Sequence, residues 1–277
     1  MSISVTMKNL LYFLLLTVII ACSENFSDKE QPIAATTPEI NYTIKSSFPH
    51  STNAFTEGFL FHNGSLYEST GSPEEFPETE SIVGVVDLAN GSIDQKVKLD
   101  KSIYFGEGIV FLNNKLFQLT YKNQTCFVYD AQTFKKLGQY TFTNIEGWGL
   151  TTDGSNIIMS DGTEVLNYVN PANFQIIKKL SVSENGYALR NLNELEYIEG
   201  FIYANIWTKD EIVKIDPANG KVIGKLDLTM LKDSAIRINP KAQETNGIAY
   251  NPQTKKVLVT GKLWPKIYEI QFSTTSK

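Results

Sequence analysis

Glu107-Gly108-Ile109-Val110-Phe111 is one of five similar segments spread along the chain. Each is a short apolar stretch that starts at a polar residue, usually beside a glycine. The other four are Glu57-Gly58-Phe59-Leu60-Phe61, Gly147-Trp148-Gly149-Leu150, Glu194-Leu195-Glu196-Tyr197 and Asn246-Gly247-Ile248-Ala249-Tyr250. Measured at Glu57, Glu107, Trp148, Glu194 and Asn246, the steps are 50, 41, 46 and 52 residues. Such a period is typical of four-stranded propeller blades, and it predicts five of them.

A second marker recurs later in each unit, where a β-rich run ends in Asp or Asn before a turn. It stands at Asp87, Asp130, Asn170 and Asp216. Side chains of this type bond to nearby backbone groups, so we expect structural roles there. The 40 to 52 residue period argues against a β-sandwich, and helical periodicity is confined to residues 229–236.

The fifth unit lacks this marker, because the chain offers too few residues after the strand at 267–272. The alternating segment Ile40-Asn41-Tyr42-Thr43-Ile44 lies before the first unit and can supply the missing strand. The sequence therefore predicts an all-β protein, a single five-bladed β-propeller whose last blade is closed by an N-terminal strand.

The N-terminus carries an export signal. Lys8 precedes a twelve-residue apolar run from Leu10 to Ala21, which is too short to span a bilayer. The ending Ile19-Ile20-Ala21-Cys22 resembles a bacterial lipobox, in which the cysteine accepts a lipid; the alternative is an ordinary signal peptide with a chance cysteine. We expect a signal peptide at 1–21, a polar disordered tether at 22–38, the propeller at 39–272 and a tail at 273–277. Translation starts at Met1 or at Met7.

This reading predicts an exported bacterial lipoprotein, anchored through Cys22 and facing the periplasm or the cell surface. Ser23 follows the cysteine in place of an inner-membrane retention aspartate, which favours the outer membrane. Cys126 is the only other cysteine, so we expect no intramolecular disulfide and a buried strand position for it.

Composition excludes several classes of function. The net charge is -5 and no basic stripe is present, so nucleic acid is not an expected partner. With only two histidines, His50 and His62, a His-rich zinc site is excluded.

A functional site is expected at the beginnings of the five similar segments, because the innermost strands of a propeller line its channel. Polar and aromatic residues occur there in variety, whereas a purely structural repeat would reuse one residue. They are Glu57, Glu107, Trp148, Asn193, Trp207, Asn246, Lys262 and Trp264.

Eight motifs in order, spread between about residues 48 and 272, resemble the plant and bacterial glutaminyl cyclases. They are Phe55-Thr56-Glu57-Gly58, Leu66-Tyr67-Glu68-Ser69-Thr70-Gly71, Phe105-Gly106-Glu107-Gly108, Gln118-Leu119-Thr120-Tyr121-Lys122, Glu146-Gly147-Trp148-Gly149-Leu150, Leu192-Asn193-Glu194-Leu195-Glu196, Ala204-Asn205-Ile206-Trp207 and Thr260-Gly261-Lys262-Leu263-Trp264-Pro265. The resemblance implies a five-bladed propeller that converts the N-terminal glutamine of a peptide into pyroglutamate with loss of ammonia.

The resemblance also implies residue roles. Glu107 would shuttle the proton, while Asn193 and Lys262 would stabilise the amide oxygen. Phe105, Trp148 and Trp207 would form an aromatic wall. No cofactor is needed for this chemistry, although a structural metal ion in the central channel is compatible with it. We expect a monomer.

The chain departs from the family pattern at two positions. Glu57 stands where Gln is usual, and Tyr121 where Trp is frequent. A carboxylate at position 57 could pair with the substrate's α-ammonium, which would oppose attack by the neutral amine and shift the pH optimum upward. Glu68, Glu194 and Glu196 are expected to support the fold.

Two other functions fit the same pattern. One is a non-catalytic surface propeller that binds a carbohydrate or a protein at its channel mouth. The other is a calcium-dependent lactonase-like hydrolase, for which Glu57, Glu107, Asn193 and Asn246 would supply ligands.

Overall fold

The structure, a computed structural model, describes residues 36–274. The predicted signal peptide, the lipidation at Cys22 and most of the predicted tether lie outside the described residues. No helix within residues 36–274 has the length and apolar character needed to cross a membrane.

Five four-stranded antiparallel sheets form the five blades of a propeller, as the repeats predict. Strand β1 (Thr43–Pro49) precedes the first blade in the chain. Blades one to four each follow chain order from the channel outward. Blade one consists of β2 (Phe55–His62), β3 (Ser65–Gly71), β4 (Ile82–Val86) and β5 (Ile93–Lys98). Blade two consists of β6 (Gly106–Leu112), β7 (Lys115–Thr120), β8 (Thr125–Asp130) and β9 (Lys136–Thr141). Blade three consists of β10 (Leu150–Thr152), β11 (Ile157–Met159), β12 (Val165–Val169) and β13 (Ile176–Ser181).

The second half of the chain continues the pattern. A small hairpin of β14 (Ser183–Glu184) and β15 (Tyr187–Ala188) connects blades three and four. Blade four consists of β16 (Leu192–Ile198), β17 (Phe201–Ile206), β18 (Glu211–Ile215) and β19 (Val222–Asp227). Helix α1 (Thr229–Ile238) lies in the next connection, where helical periodicity was expected. Blade five consists of β20 (Thr245–Asn251), β21 (Lys256–Gly261), β22 (Lys266–Gln271) and β1.

Blade five joins the two ends of the described chain, because β1 pairs antiparallel with β22. The predicted closing strand, residues 40–44, is correct in principle but wrong in its bounds. The Ile40 N–H instead donates to the Lys225 carbonyl on β19, at 2.7 Å. Ile40 and Tyr42 pack against the apolar cluster between blades four and five. The alternation at 40–44 therefore reflects packing of the approach segment, whereas the strand itself is nearly all exposed.

Five apolar clusters hold the ring together, one between each pair of adjacent blades. Each cluster has members from both blades: Leu60 and Ile109 for blades one and two, Phe117 and Ile157 for two and three, Leu166 and Ile202 for three and four, Tyr203 and Ile248 for four and five, and Phe59 and Ala249 for one and five. Each fully buried large side chain stabilises the fold by about 1.5–3 kcal/mol. The fifth cluster forms only when blade five meets blade one.

The turn residues are structural, as predicted. The side chains of Asp87, Asp130, Asn170 and Asp216 each accept the backbone N–H two residues further on, at 2.9–3.1 Å. Cys126 is fully buried on β8, which confirms its predicted place.

A buried ion pair links blade five to blade one just after β1. His50 Nε2 lies 3.1 Å from Glu68 Oε2 on β3, and His50 Nδ1 lies 2.9 Å from the Trp264 carbonyl oxygen. Thr56 Oγ1 donates to the other oxygen of Glu68 at 2.7 Å. Because carbonyl and carboxylate oxygens accept, both ring nitrogens of His50 donate, and the ring is an imidazolium. The pair therefore fastens the point where the ring closes.

We expect the stability supplied by His50 to depend on pH. Burial alone would lower the pKa of His50, but Glu68 and the Trp264 carbonyl together raise it above its ordinary value. The contribution is then complete below about pH 6.5, the ordinary pKa of histidine, and is lost as pH rises through the raised pKa of the folded protein. In urea denaturation, His50→Gln should lower the free energy of unfolding more near pH 6 than near pH 9. An equal cost at both pH values would contradict this assignment.

Candidate active site

The inner strands carry irregularities at one end of the channel. In β2, β6, β16 and β20 the pairing register shifts, so that extra residues stand opposite a shorter partner segment. The extra residues include Glu57, Glu107, Asn193 and Asn246. A β-bulge re-aims side chains and ends regular pairing, which explains why these polar groups lie at the channel mouth.

Glycines next to these residues allow the inner strands to approach one another. A Cβ atom on Gly149 would lie 2.2 Å from the Asn193 carbonyl oxygen, and one on Gly108 would lie 2.6 Å from the Leu150 nitrogen. The Gly108 N–H also donates to the Trp148 carbonyl at 2.7 Å. The polar-glycine signature of the repeats thus serves two purposes: it brings the strands together and sets the polar side chains at the mouth.

A cavity of about 270 Å³ opens at this mouth. All eight predicted catalytic and substrate-binding residues line it: Glu57, Phe105, Glu107, Tyr121, Trp148, Asn193, Trp207 and Lys262. Drug-sized ligands occupy pockets of about 300–1,000 Å³, so this cavity suits a group the size of one amino-acid residue. A second cavity of about 460 Å³ lies at the opposite mouth, where Glu196, Tyr250 and the tips of the inner hairpins surround it.

Aromatic rings form two walls of the cavity. Trp148 and Trp207 meet edge to face with centroids 5.7 Å apart, and Trp207 is 41% exposed at the rim. On the other side Phe105 contacts Phe55 at 6.1 Å and Tyr121 at 5.8 Å. Trp264, the third tryptophan, is fully buried and donates to the Gln243 carbonyl instead. Apolar walls exclude water from whatever binds there.

Glu57 and Lys262 form a buried ion pair inside the cavity. Lys262 Nζ lies 2.8 Å from Glu57 Oε1, and Asn246 Nδ2 donates to Glu57 Oε2 at 3.0 Å. The expected partner of Glu57 was the substrate's ammonium group, but both of its oxygens already have partners within the protein. Burial raises the pKa of Glu57 to about 7, although the Lys262 ammonium opposes this.

Glu107 differs from Glu57 in that its carboxylate has no hydrogen-bond donor among the described residues. It is 5% exposed, and within residues 36–274 no donor lies at hydrogen-bonding distance from its carboxylate. Burial raises the pKa of Glu107 well above its ordinary range, and the negative charge of Glu57 raises it further while Lys262 opposes. A carboxyl group with a raised pKa is a stronger base than an ordinary carboxylate, and it can return the proton that it accepts.

Two other side chains complete the polar part of the site. Asn193 is buried, and its Oδ1 lacks a hydrogen-bond partner within the described part of the chain. The Tyr121 hydroxyl lies beside Glu146, and burial together with Glu146 and Glu107 raises its pKa to about 12. Tyr121 therefore stays protonated, while the amide of Asn193 has capacity left for a ligand.

The sequence model of the glutamine cyclotransferase family matches residues 14–272. The chain belongs to this family. The glutaminyl-peptide cyclotransferase of Arabidopsis thaliana is 37% identical over 235 residues, which are 84% of this chain and 72% of that protein. The crystal structure of Myxococcus xanthus glutaminyl cyclase superposes with a TM-score of 0.76 at 29% identity, covering 87% of this chain and 100% of the other. The resemblance seen in the eight motifs is confirmed.

Carboxylates that flank the glutamine cyclotransferase site have structural partners, as expected. Glu194 accepts the backbone N–H groups of Phe59 at 3.2 Å and Ile248 at 2.9 Å, and so ties blade four to blades one and five. Glu196 accepts the Tyr250 N–H at 2.7 Å. Within the described range no group of three or more His, Cys, Asp or Glu side chains is arranged to hold a metal ion.

Sequence reasoning missed three residues that line the cavity of this family member: Phe55, Pro73 and Glu75. Phe55 stands two residues before Glu57 in a quoted motif, so its place could have been inferred. Pro73 and Glu75 lie in the connection between β3 and β4, which shares no repeat with the other blades. Only the three-dimensional structure brings that connection to the rim.

Proposed function

We propose that this protein is a glutaminyl-peptide cyclotransferase, which converts the N-terminal glutamine of peptides or proteins into pyroglutamate and releases ammonia. Family membership supports the activity. The observation that supports the residue assignment is Glu107, a buried carboxyl group with a raised pKa that faces a residue-sized cavity.

The reaction is intramolecular in the substrate, so its difficulty lies in moving protons. The α-amine nitrogen attacks the γ-amide carbon and forms the new N–C bond. In our proposal the Glu107 carboxylate takes a proton from that amine. The same proton then passes to the amide nitrogen, the old C–N bond breaks, and ammonia leaves. One carboxyl group serves both steps because it returns the proton that it accepted.

Negative charge develops on the amide oxygen during attack, and Lys262 and Asn193 are the proposed stabilising donors. An ammonium group has three N–H donors, and Glu57 at 2.8 Å occupies one of those on Lys262. The remaining donors are available to the substrate. Asn193, which lines the cavity, can offer Nδ2 to the oxygen.

Phe105, Tyr121, Trp148 and Trp207 are proposed to hold the glutamine side chain and exclude water. Because every step uses protein groups, we propose that no metal or other cofactor takes part.

Replacement of the proton shuttle tests the mechanism. Glu107→Gln should reduce kcat by about 10²–10⁴-fold, measured as ammonia release from a peptide with N-terminal glutamine in the presence of chelator. Glu196→Gln is a matched control: it replaces a carboxyl group whose pKa is also raised, to about 8, but at the opposite mouth.

Unchanged turnover in Glu107→Gln would contradict the assigned role. Loss of wild-type activity on adding chelator would favour the calcium-dependent hydrolase instead. A folded wild-type protein that turned over no glutaminyl peptide would favour the non-catalytic propeller.

Glu57 should set the pH range of activity. Its charge raises the pKa of Glu107, whereas Lys262, which lies 2.8 Å from Glu57, lowers it. In Glu57→Gln the pKa of Glu107 should fall, so the acid limb of the kcat/KM profile should move to lower pH. An unmoved acid limb, with the variant folded, would show that Glu57 does not act on the shuttle.

We also propose that the protein is a lipoprotein anchored to the outer membrane through Cys22. The lipobox-like sequence 19–22 supports this. Cys22→Ser should move the protein from the membrane fraction to the soluble fraction, and it should abolish labelling by a clickable fatty acid. If the variant stayed in the membrane fraction and was still labelled, the proposed lipid anchor at Cys22 would be contradicted.

A further inference from the structure

The connection at residues 72–81 forms one side of the active-site rim and carries four glutamates. Two have basic partners: Glu78 with Lys241 at 2.8 Å, and Glu80 with Lys98 at 3.1 Å. Glu74 and Glu75 are exposed, and neither has an ion-pair partner among residues 36–274. Glu75 lines the cavity, whereas Glu74 does not.

Contacts made by the residues that follow Glu75 hold this connection in place. Lys101 Nζ donates to the carbonyl oxygens of Pro77 at 3.0 Å and Thr79 at 2.9 Å. The Phe76 ring lies 6.0 Å from Phe55 on the cavity wall. Glu75 is therefore a carboxylate presented by a tethered segment.

The charges near the mouth leave Glu75 without compensation. Lys262 is the one ammonium group among the described residues that line the cavity, and it pairs with Glu57. The basic side chains that contact the connection are also paired, since Lys101 lies 3.3 Å from Glu80 and Lys241 lies 2.8 Å from Glu78. A ligand that enters the mouth therefore meets an unpaired negative charge at the rim.

We infer that Glu75 gives the enzyme a preference for substrates with lysine or arginine immediately after the N-terminal glutamine. This rests on the proposed function. A cavity of about 270 Å³ holds the glutamine residue, so the second residue must lie at the rim. A basic side chain there gains attraction from Glu75, and an acidic one is repelled.

The test compares three peptides that differ only at the second position: Gln-Lys, Gln-Ala and Gln-Glu. Wild-type kcat/KM should follow that order, with steps of about two- to fivefold, as expected for an exposed charge pair. The steps should shrink in about 0.5 M salt, because screening weakens exposed charges. In Glu75→Gln the ratio of Gln-Lys to Gln-Glu should fall towards one, whereas Glu74→Gln should keep the wild-type ratio.

The outcomes separate this inference from the activity itself. Turnover of all three peptides at equal rates would overturn the preference while leaving the cyclase activity intact. A preference that survives in Glu75→Gln, or that falls equally in both variants, would overturn the assignment to Glu75. No turnover of any peptide would overturn the proposed function and the preference with it.

Discussion

Five backbone segments must converge on one axis, and the rest of the structure depends on how closely they do so. Gly108 and Gly149 place neighbouring inner strands at distances that no side chain permits. Next to these contacts the inner strands bulge, and the bulges turn polar residues such as Glu107 and Asn193 towards the mouth. The apolar clusters between blades then fix the ring at this radius. The close approach of the inner strands that closes the ring therefore also brings the polar residues of the site together.

The same convergence creates the electrostatic character of the site. Glu57, Glu107 and Lys262 are charged groups brought together in a nearly dry place, where desolvation costs more than isolated charges could recover. The protein satisfies Glu57 with Lys262 and Asn246 but leaves Glu107 without a donor. Of these two carboxyl groups in the cavity, Glu107 therefore has the less stabilised anion. The proposed reactivity of Glu107 thus depends on the difference between two neighbouring carboxyl groups: Glu57 has hydrogen-bond and ion-pair partners, and Glu107 has none among residues 36–274.

The sequence predicts the architecture well because repeats report directly on it. The polar-glycine starts mark all five inner strands, and the Asp and Asn turns mark four outer hairpins. The site residues were reached through motifs, and the structure brings all eight to one cavity. The ion pair between Glu57 and Lys262 could not be predicted from the sequence, because nothing in the spacing of the two residues indicates that they meet. The bounds of β1 were missed because an exposed outer strand has little hydrophobic alternation, and Glu75 because its connection is unique to one blade.

The closure of blade five by strand β1 has a mechanical consequence. A pull on the residues before Thr43 acts at the end of β1 that faces Gln271, so the strand would peel from β22 one hydrogen-bonded pair at a time. The contact of Ile40 with Lys225 on the neighbouring blade comes earlier along the line of force. Tension from the N-terminal side therefore reaches the hydrogen bonds between residues 38–40 and Lys225 on blade four before it reaches the seam that keeps the propeller circular.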